Sequence, residues 1–143
     1  MQKIYSSTKP ELLAHIIIGI PDFNGRSNLS LESEFLQVSS LKIDSKKSFK
    51  SHIHIWKDFE LESVVAQEAW VVIRGQVEAS YFDLDGKFLK SLILNEGDCS
   101  VTFHGGHGFT ILKDSFIYEF KTGPYLGVEK DKIFLDKLQP QDC

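Results

Sequence analysis

The sequence predicts an all-β fold, and three observations support this prediction. From Glu34 onward, apolar and polar residues alternate with a period close to two, as in strands that bury one face. Glycine or aspartate turn residues separate these short runs at regular spacing. Phe is abundant at 11 and Gly stands at 10, whereas Pro numbers only 4, which favours strands joined by glycine turns over a helical bundle. Because no crossover helices are evident, we expect an antiparallel sandwich or barrel.

The alternation defines eight strands and the turns between them. The predicted strands are Phe35–Ile43, Phe49–Trp56, Val64–Arg74, Gln76–Phe82, Phe88–Leu94, Ser100–His104, Phe109–Leu112 and Phe116–Lys121. The predicted connections are Asp44–Ser48, Lys57–Glu62, Gly75, Asp83–Gly86, Asn95–Asp98, Gly105–Gly106 and Lys113–Ser115.

The N-terminal residues are predicted as an extension of one domain. Pro10-Glu11 has the features of a short helix start, the run Ile16–Ile18 favours a strand, and Asp22–Ser30 is a polar turn region. No repeat or linker divides the chain. We therefore expect an extension over residues 1–33 that packs on the barrel, a barrel over 34–135 and a tail over 136–143.

Composition and charge exclude several classes of partner. The 143 residues carry 16 Lys and Arg against 20 Asp and Glu, a formal net charge of -4. Such a chain lacks the positive field that attracts nucleic acid or an anionic membrane. A cluster of Lys42, Lys46, Lys47 and Lys50 has no interleaved aromatic platform and is interpreted as a solvated strand edge.

The cysteines and the most apolar stretch bear on location. Leu12–Ile20 is about half as long as a membrane-spanning helix needs to be. Two cysteines, Cys99 and the terminal Cys143, make a poor disulfide framework. We expect a cytoplasmic protein whose partner is a small molecule.

His52 and His54 are the first candidates for chemistry. On a strand, residues two apart point to the same side, about 6.5 Å apart. Two imidazoles in this arrangement can bind one metal ion. The alternative is a pair of partly buried histidines that bond to their neighbours.

Glu68 is the second candidate, because it is an acid within the nearly continuous apolar run Ala66–Ile73. A buried carboxylate there requires a partner or a metal. The alternative is an outward-facing Glu on an edge strand.

His107 lies in a glycine-rich turn, Gly105–Gly108, which can bring an imidazole into a cavity. The alternative is a tight hairpin with an exposed histidine. His104, on the other side of the glycine pair, competes for the same role. His15, isolated in an apolar stretch, is interpreted as structural.

These motifs together resemble the cupin superfamily. The matching positions are His52, His54, Glu68 and Gly75 in the first motif, and Gly97, Gly105 and His107 in the second. The segment Phe116–Tyr125 resembles the end of small cupin-fold metalloproteins found in surface-polysaccharide biosynthesis loci. The resemblance spans roughly residues 50–134 and leaves residues 1–33 unexplained.

The chain departs from the cupin pattern at three places. The spacer from His54 to Glu68 is longer than usual and contains Glu60 and Glu62, either of which could replace Glu68. Phe103 stands where a proline normally opens the second motif. His107 falls one position early, which keeps His104 as a rival.

The resemblance implies a jelly-roll (double-stranded β-helix) barrel in which His52, His54, Glu68 and His107 hold a divalent metal. Iron, nickel, manganese and zinc all suit such a ligand set. The expected activity is a metal-dependent isomerase, epimerase or oxygenase that acts on a small oxygen-rich substrate such as a sugar or nucleotide-linked sugar.

An acid or base for such a reaction would come from Tyr81, Tyr118, Lys121 or Tyr125, each of which also fits a structural role. A non-catalytic ligand-binding or sensor cupin is the alternative function. Apolar residues on both faces of Val64–Ile73 leave Val71 and Ile73 facing outward, which predicts a homodimer.

Overall fold

The computed structural model describes residues 1–20, 25–45, 47–54 and 64–135. Within these ranges the chain forms eight strands and one helical turn. They are β1 (Gln2–Tyr5), β2 (Leu13–Ile18), β3 (Gly25–Asn28), β4 (Ser39–Lys42), β5 (Glu68–Phe82), β6 (Phe88–Asn95), β7 (Cys99–Thr102), β8 (Gly106–Lys121) and α1 (Val128–Asp131). The predicted all-β fold is confirmed.

Six strands form one antiparallel sheet. Five of them follow the order β1-β2-β7-β5-β6, and the sixth, β8, is a further partner of β5. The hairpin β3-β4 forms a separate two-stranded sheet. β1, which was not predicted, and β2 both belong to the main sheet, so residues of the N-terminal segment pair directly with its centre.

The main sheet curls because its two longest strands bend together. β5 and β8 pair along nearly their whole length, with register shifts between Val72 and Val77. Gly75 has a φ of 100°, and a Cβ there would collide with Ser115 and with the backbone of Asp114. The predictions of separate connections at Gly75 and at Lys113–Ser115 are therefore wrong, since both are bulges inside continuous strands.

One aromatic contact shows how strong the bend is. Phe109 lies opposite Ala79 of β5, and Ala79 is nine residues beyond Trp70 on the same strand. In a flat strand, nine residues span about 30 Å. Yet the rings of Trp70 and Phe109 stack at 3.8 Å between centroids. The sheet must curl towards the face that carries both rings, and it forms a half-barrel.

Each face of the sheet packs its own cluster of apolar side chains. The concave-face cluster comprises Ile17, Val72, Val77, Ala79, Tyr81 and Leu94. The convex-face cluster comprises Leu13, Ile16, Ile18, Ala69, Val101 and Phe103, and it is covered by Leu29, Leu36 and Val38 from the region of β3 and β4. β2 is buried on both faces, which accounts for its apolar run, interrupted only by His15.

The predicted helix start at Pro10-Glu11 is a turn instead. The carboxylate of Asp83, from the connection between β5 and β6, holds this turn because it accepts hydrogen bonds from Ser6, Ser7 and Thr8. Burial alone would raise the pKa of Asp83, but these hydrogen bonds outweigh it and hold the pKa well below its usual range.

Two strands predicted between residues 34 and 56 differ in the structure. Of Phe35–Ile43, only the part in β4 is a strand. Residues 49–54 of the predicted strand Phe49–Trp56 are not in a strand, and Ile55 and Trp56 lie outside the described residues. Alternation alone could not separate an exposed coil from a strand here. Across the described ranges, none of the helical structure has the length and apolar character needed to cross a bilayer.

Candidate functional site

Glu68 and His107 meet on the concave face of the half-barrel. Glu68 is the first residue of β5, and His107 lies near the start of β8. The Oε1 atom of Glu68 is 3.1 Å from Nε2 of His107. Burial alone would raise the pKa of the Glu68 carboxyl, but hydrogen bonds from His107 and Trp70, together with nearby positive charge that includes Lys132, outweigh it and lower the pKa. The carboxylate is therefore ionised near neutral pH.

The contact fixes the proton on the His107 ring. Because Nε2 faces a carboxylate, Nε2 carries the hydrogen and donates it. In the neutral ring, Nδ1 is then an acceptor. Nδ1 is buried and has no hydrogen-bond partner among the described residues.

Trp70 places a second buried nitrogen on the same face. Its Nε1 atom makes no hydrogen bond of normal geometry in the described part of the chain, although its interaction with the Glu68 carboxylate helps to lower the pKa of that group. An indole N–H can only donate. Trp70 follows Glu68 by two residues on β5, so the two side chains share a face. Buried polar atoms without partners are uncommon, and Nδ1 of His107, close to Glu68, is one of them.

These residues line a cavity of about 680 Å³. Trp70 and Phe109 form an aromatic wall, and the ring of His107 is 5.2 Å from that of Phe109. Residues 129–135 form the facing wall, which we call the C-terminal wall. A concave site with an aromatic wall and a few polar groups suits a small molecule.

Lys121 ties the C-terminal wall to the sheet. Its ammonium donates to Oδ2 of Asp131 at 2.8 Å, and this hydrogen bond raises the pKa of Lys121. The same ammonium lies 4.8 Å from the ring centroid of Tyr125. Lys121, predicted as a candidate acid or base, lines the cavity as one half of an ion pair.

Tyr81 and Tyr118, which were also predicted as acid/base candidates, do not line the cavity. Tyr81 is fully buried, its hydroxyl bonds Ser100 at 2.8 Å, and burial raises its pKa to about 12. Tyr118 lies opposite Val71 on β5, so its side chain is on the convex face of the sheet. Its ring packs against those of Phe116 and Phe120, and it is half exposed.

The structure does not bring His52 and His54 to the Glu68–His107 pair. Both lie in an exposed segment without regular structure, with ring centroids 5.0 Å apart. Nδ1 of His52 contacts the carbonyl of Lys50 at 3.0 Å. Glu60 and Glu62, the possible replacements for Glu68, lie outside the described residues.

The remaining histidines have separate partners. Nε2 of His104 lies 3.7 Å from a carboxylate oxygen of Glu34. His15 is fully buried, with Nδ1 at 3.1 Å from the Thr102 hydroxyl and Nε2 at 3.3 Å from the carbonyl of Phe82. Burial lowers the pKa of His15 to about 4.

The donors predicted for a metal fit such an ion incompletely. Two of the four, Glu68 and His107, lie in contact. In residues 1–20, 25–45, 47–54 and 64–135, no three His, Cys, Asp or Glu side chains are grouped to hold a metal ion.

Comparison with protein families, with curated proteins and with solved structures gave no match to this chain.

Sequence reasoning missed two parts of the cavity. Trp70 lies two residues from Glu68, so a same-face argument could have included it. The C-terminal wall carried no comparable signal, since residues 129–135 follow the last strand and their place beside the cavity depends on long-range contacts such as that of Lys121 with Asp131.

Proposed function

We propose that this chain binds a small oxygen-rich molecule, such as a sugar or nucleotide-linked sugar, in the concave cavity. The observation that carries the proposal is a pair of buried nitrogens in residues that line one cavity: Nδ1 of His107 has no partner among the described residues, and Nε1 of Trp70 has only the Glu68 carboxylate nearby. A ligand that supplies their missing hydrogen bonds recovers the free energy otherwise lost by burying them unpaired.

The two nitrogens favour hydroxyl groups as ligands. Trp70 offers only a donor, whereas Nδ1 of neutral His107 offers only an acceptor. A hydroxyl both donates and accepts, so one molecule with neighbouring hydroxyls satisfies both atoms. The wall formed by Trp70 and Phe109 supplies an apolar surface for the carbon skeleton of such a molecule.

The contact between Glu68 and His107 also supports proton-transfer chemistry. Nδ1 of His107 can accept a proton from a bound hydroxyl or carbon acid, while the carboxylate of Glu68 stabilises the imidazolium that forms. An isomerase or epimerase uses this step. A ligand-binding or sensor protein would use the same hydrogen bonds without turnover.

Calorimetric titration of the full chain with glucose, UDP-glucose and glycerol tests the proposal. Trp70→Phe keeps an aromatic ring but removes the N–H, and it should weaken the binding of the tightest of these ligands about fivefold or more, the effect of one lost hydrogen bond. Tyr118→Phe, on the opposite face, is the matched control and should leave the affinity unchanged. Equal affinities for wild type and Trp70→Phe would contradict the proposal, as would the absence of binding by all three ligands at millimolar concentration.

A divalent transition metal (iron, nickel, manganese or zinc) is a second candidate for the same site. Its support is the orientation of His107, with one nitrogen on a carboxylate and the other unpaired, which is common among metal-binding histidines. His52 and His54 would have to supply the further ligands. Because the described residues bring only two donors together, we derive no chemical step through a metal.

Elemental analysis of protein purified without an affinity tag tests the metal. A stoichiometric transition metal that is lost in the double variant His52→Ala/His54→Ala would support the predicted ligand set. Metal-free protein that still binds its ligand would refute the proposal of a metal at this site.

Membership of the cupin superfamily and a complete jelly-roll barrel are further proposals, supported by the curled antiparallel half-barrel. We also propose a homodimer. Its support is an apolar patch on the outward face of β5 and β8, where Ile73, Phe116, Tyr118 and Phe120 are each about half exposed. Light scattering at micromolar concentration should give twice the chain mass, and a monomeric mass would refute the dimer.

A further inference from the structure

A second cavity, of about 440 Å³, lies on the convex face of the sheet. Its floor includes Ala69 and Val71 of β5, and its opposite wall includes Leu36, Val38 and Ser40 from the region of β4. Along β5 the side chains alternate, so Glu68 and Trp70 face the concave cavity while Ala69 and Val71 face this one. The two cavities are separate sites on opposite faces of one strand.

The second cavity is apolar and uncharged. Among the described residues that line it, none is Asp, Glu, Lys, Arg or His. Its one thiol, that of Cys99, stays protonated near neutral pH because burial raises its pKa to about 11. The concave cavity, by contrast, is lined by several charged side chains. An ionic ligand would therefore lose its hydration in the second cavity without gaining a counter-charge.

One polar group in this cavity is left without a partner. The side chain of Gln37 donates to backbone carbonyls, and the hydroxyl of Ser39 donates to Asn28. Oγ of Ser40 is buried and has no hydrogen-bond partner among the described residues. Like Nδ1 of His107 in the concave cavity, this unpartnered atom belongs to a residue that lines a cavity.

We propose that the second cavity binds an uncharged amphiphile with an alkyl body and one hydroxyl or carbonyl group. The alkyl body would pack against Ala69, Val71, Leu36 and Val38, and its polar group would bond Oγ of Ser40. The volume lies within the range of roughly 300–1,000 Å³ that is usual for small-molecule sites. This inference does not depend on the function proposed for the concave cavity.

The full chain titrated with n-octanol, followed by NMR chemical shifts, tests the proposal. The amide signals of β4 and of the first half of β5 should shift and saturate. Ser40→Ala should weaken octanol binding about fivefold, the effect of one lost hydrogen bond. Val71→Phe, which fills the cavity from a half-buried position, should weaken it more than tenfold, and a circular dichroism spectrum shows whether this variant is folded.

Two controls distinguish binding in the second cavity from nonspecific association of octanol with the protein. Octanoate has the same alkyl body but a charge, and it should bind at least tenfold more weakly than octanol. Trp70→Phe changes only the concave cavity and should leave octanol binding unchanged. Shifts confined to the concave cavity, equal binding of octanol and octanoate, or equal binding by Ser40→Ala and wild type would each overturn the proposal. A concentration-dependent dimer that octanol cannot enter would instead assign this face to a second copy.

Discussion

Lowering the pH from about 7.5 to about 5 should destabilise this protein through His15. The ring is fully buried, and its Nε2–H donates to the carbonyl of Phe82. Its Nδ1 must then accept from the Thr102 hydroxyl. Protonation of Nδ1 would remove that acceptor and place an unpaired charge in the core. The folded chain therefore resists a proton that the unfolded chain accepts.

The size of the effect follows from the pKa of His15, which burial lowers from 6.5 to about 4. Above 6.5 the ring is neutral in both states and the stability is unaffected. As the pH falls from 6.5 towards 4, the unfolded chain binds more protons, so the free energy of unfolding decreases. The loss from His15 should be about 2 kcal/mol at a pH of about 5 and should level off at about 3 kcal/mol below pH 4.

Urea unfolding at a series of pH values, for wild type and for His15→Gln, measures this loss. Glutamine keeps one donor and one acceptor but does not titrate, so the variant should lack the loss assigned to His15. His52→Gln, a change at an exposed histidine, is the matched control and should follow wild type. If His15→Gln loses as much stability as wild type when the pH is lowered from about 7.5 to about 5, the buried neutral imidazole is not the cause of the loss.

Three further variants test separate contacts. Asp83→Asn should lower the free energy of unfolding by about 2–4 kcal/mol near neutral pH, because the buried carboxylate accepts several hydrogen bonds from residues 6–8. Urea titration should show that the difference in the free energy of unfolding between wild type and Asp83→Asn becomes smaller below about pH 4, because a carboxyl with a depressed pKa loses its contribution to stability there. Gly75→Ala should cost about 2 kcal/mol or more, because its Cβ meets the backbone of β8 at a positive φ, whereas Gly108→Ala, with open space around it, should barely change the melting temperature. Asp131→Asn removes the ion pair with Lys121 and should speed hydrogen exchange in α1 while it changes global stability by less than about 1 kcal/mol; unchanged exchange would count against this anchor.

Much of the sheet follows from local patterns in the sequence. The turn Asp83–Gly86 and the strands on either side of it were predicted, because alternation and turn residues are local signals. Gly75 was misread because a glycine serves equally in a connection and in a bulge, and only the partner strand decides between them. β1 was missed since its apolar residues, Ile4 and Tyr5, are adjacent and show no alternation.

The candidate site was predictable only in part. The spacing of Glu68 and His107 in the cupin motifs selected two residues that lie in contact in the structure. His52 and His54 were selected on the assumption of a strand, whereas residues 47–54 have no regular structure. The stack of Trp70 on Phe109 depends on the bend of β5 and β8, and a bend of that size is set by long-range pairing that one sequence does not display.

The place of β2 in the sheet has a consequence for synthesis. β2 pairs with β7, so Ile16 lies beside Val101 although most of the chain separates them. A ribosome releases β2 long before β7, and pairing between such distant segments is slow. The apolar run Leu13–Ile18 therefore remains unpaired with β7 while some eighty residues are synthesised. Nascent chains halted before Cys99 should consequently depend on chaperones that cover this run, and without them should aggregate.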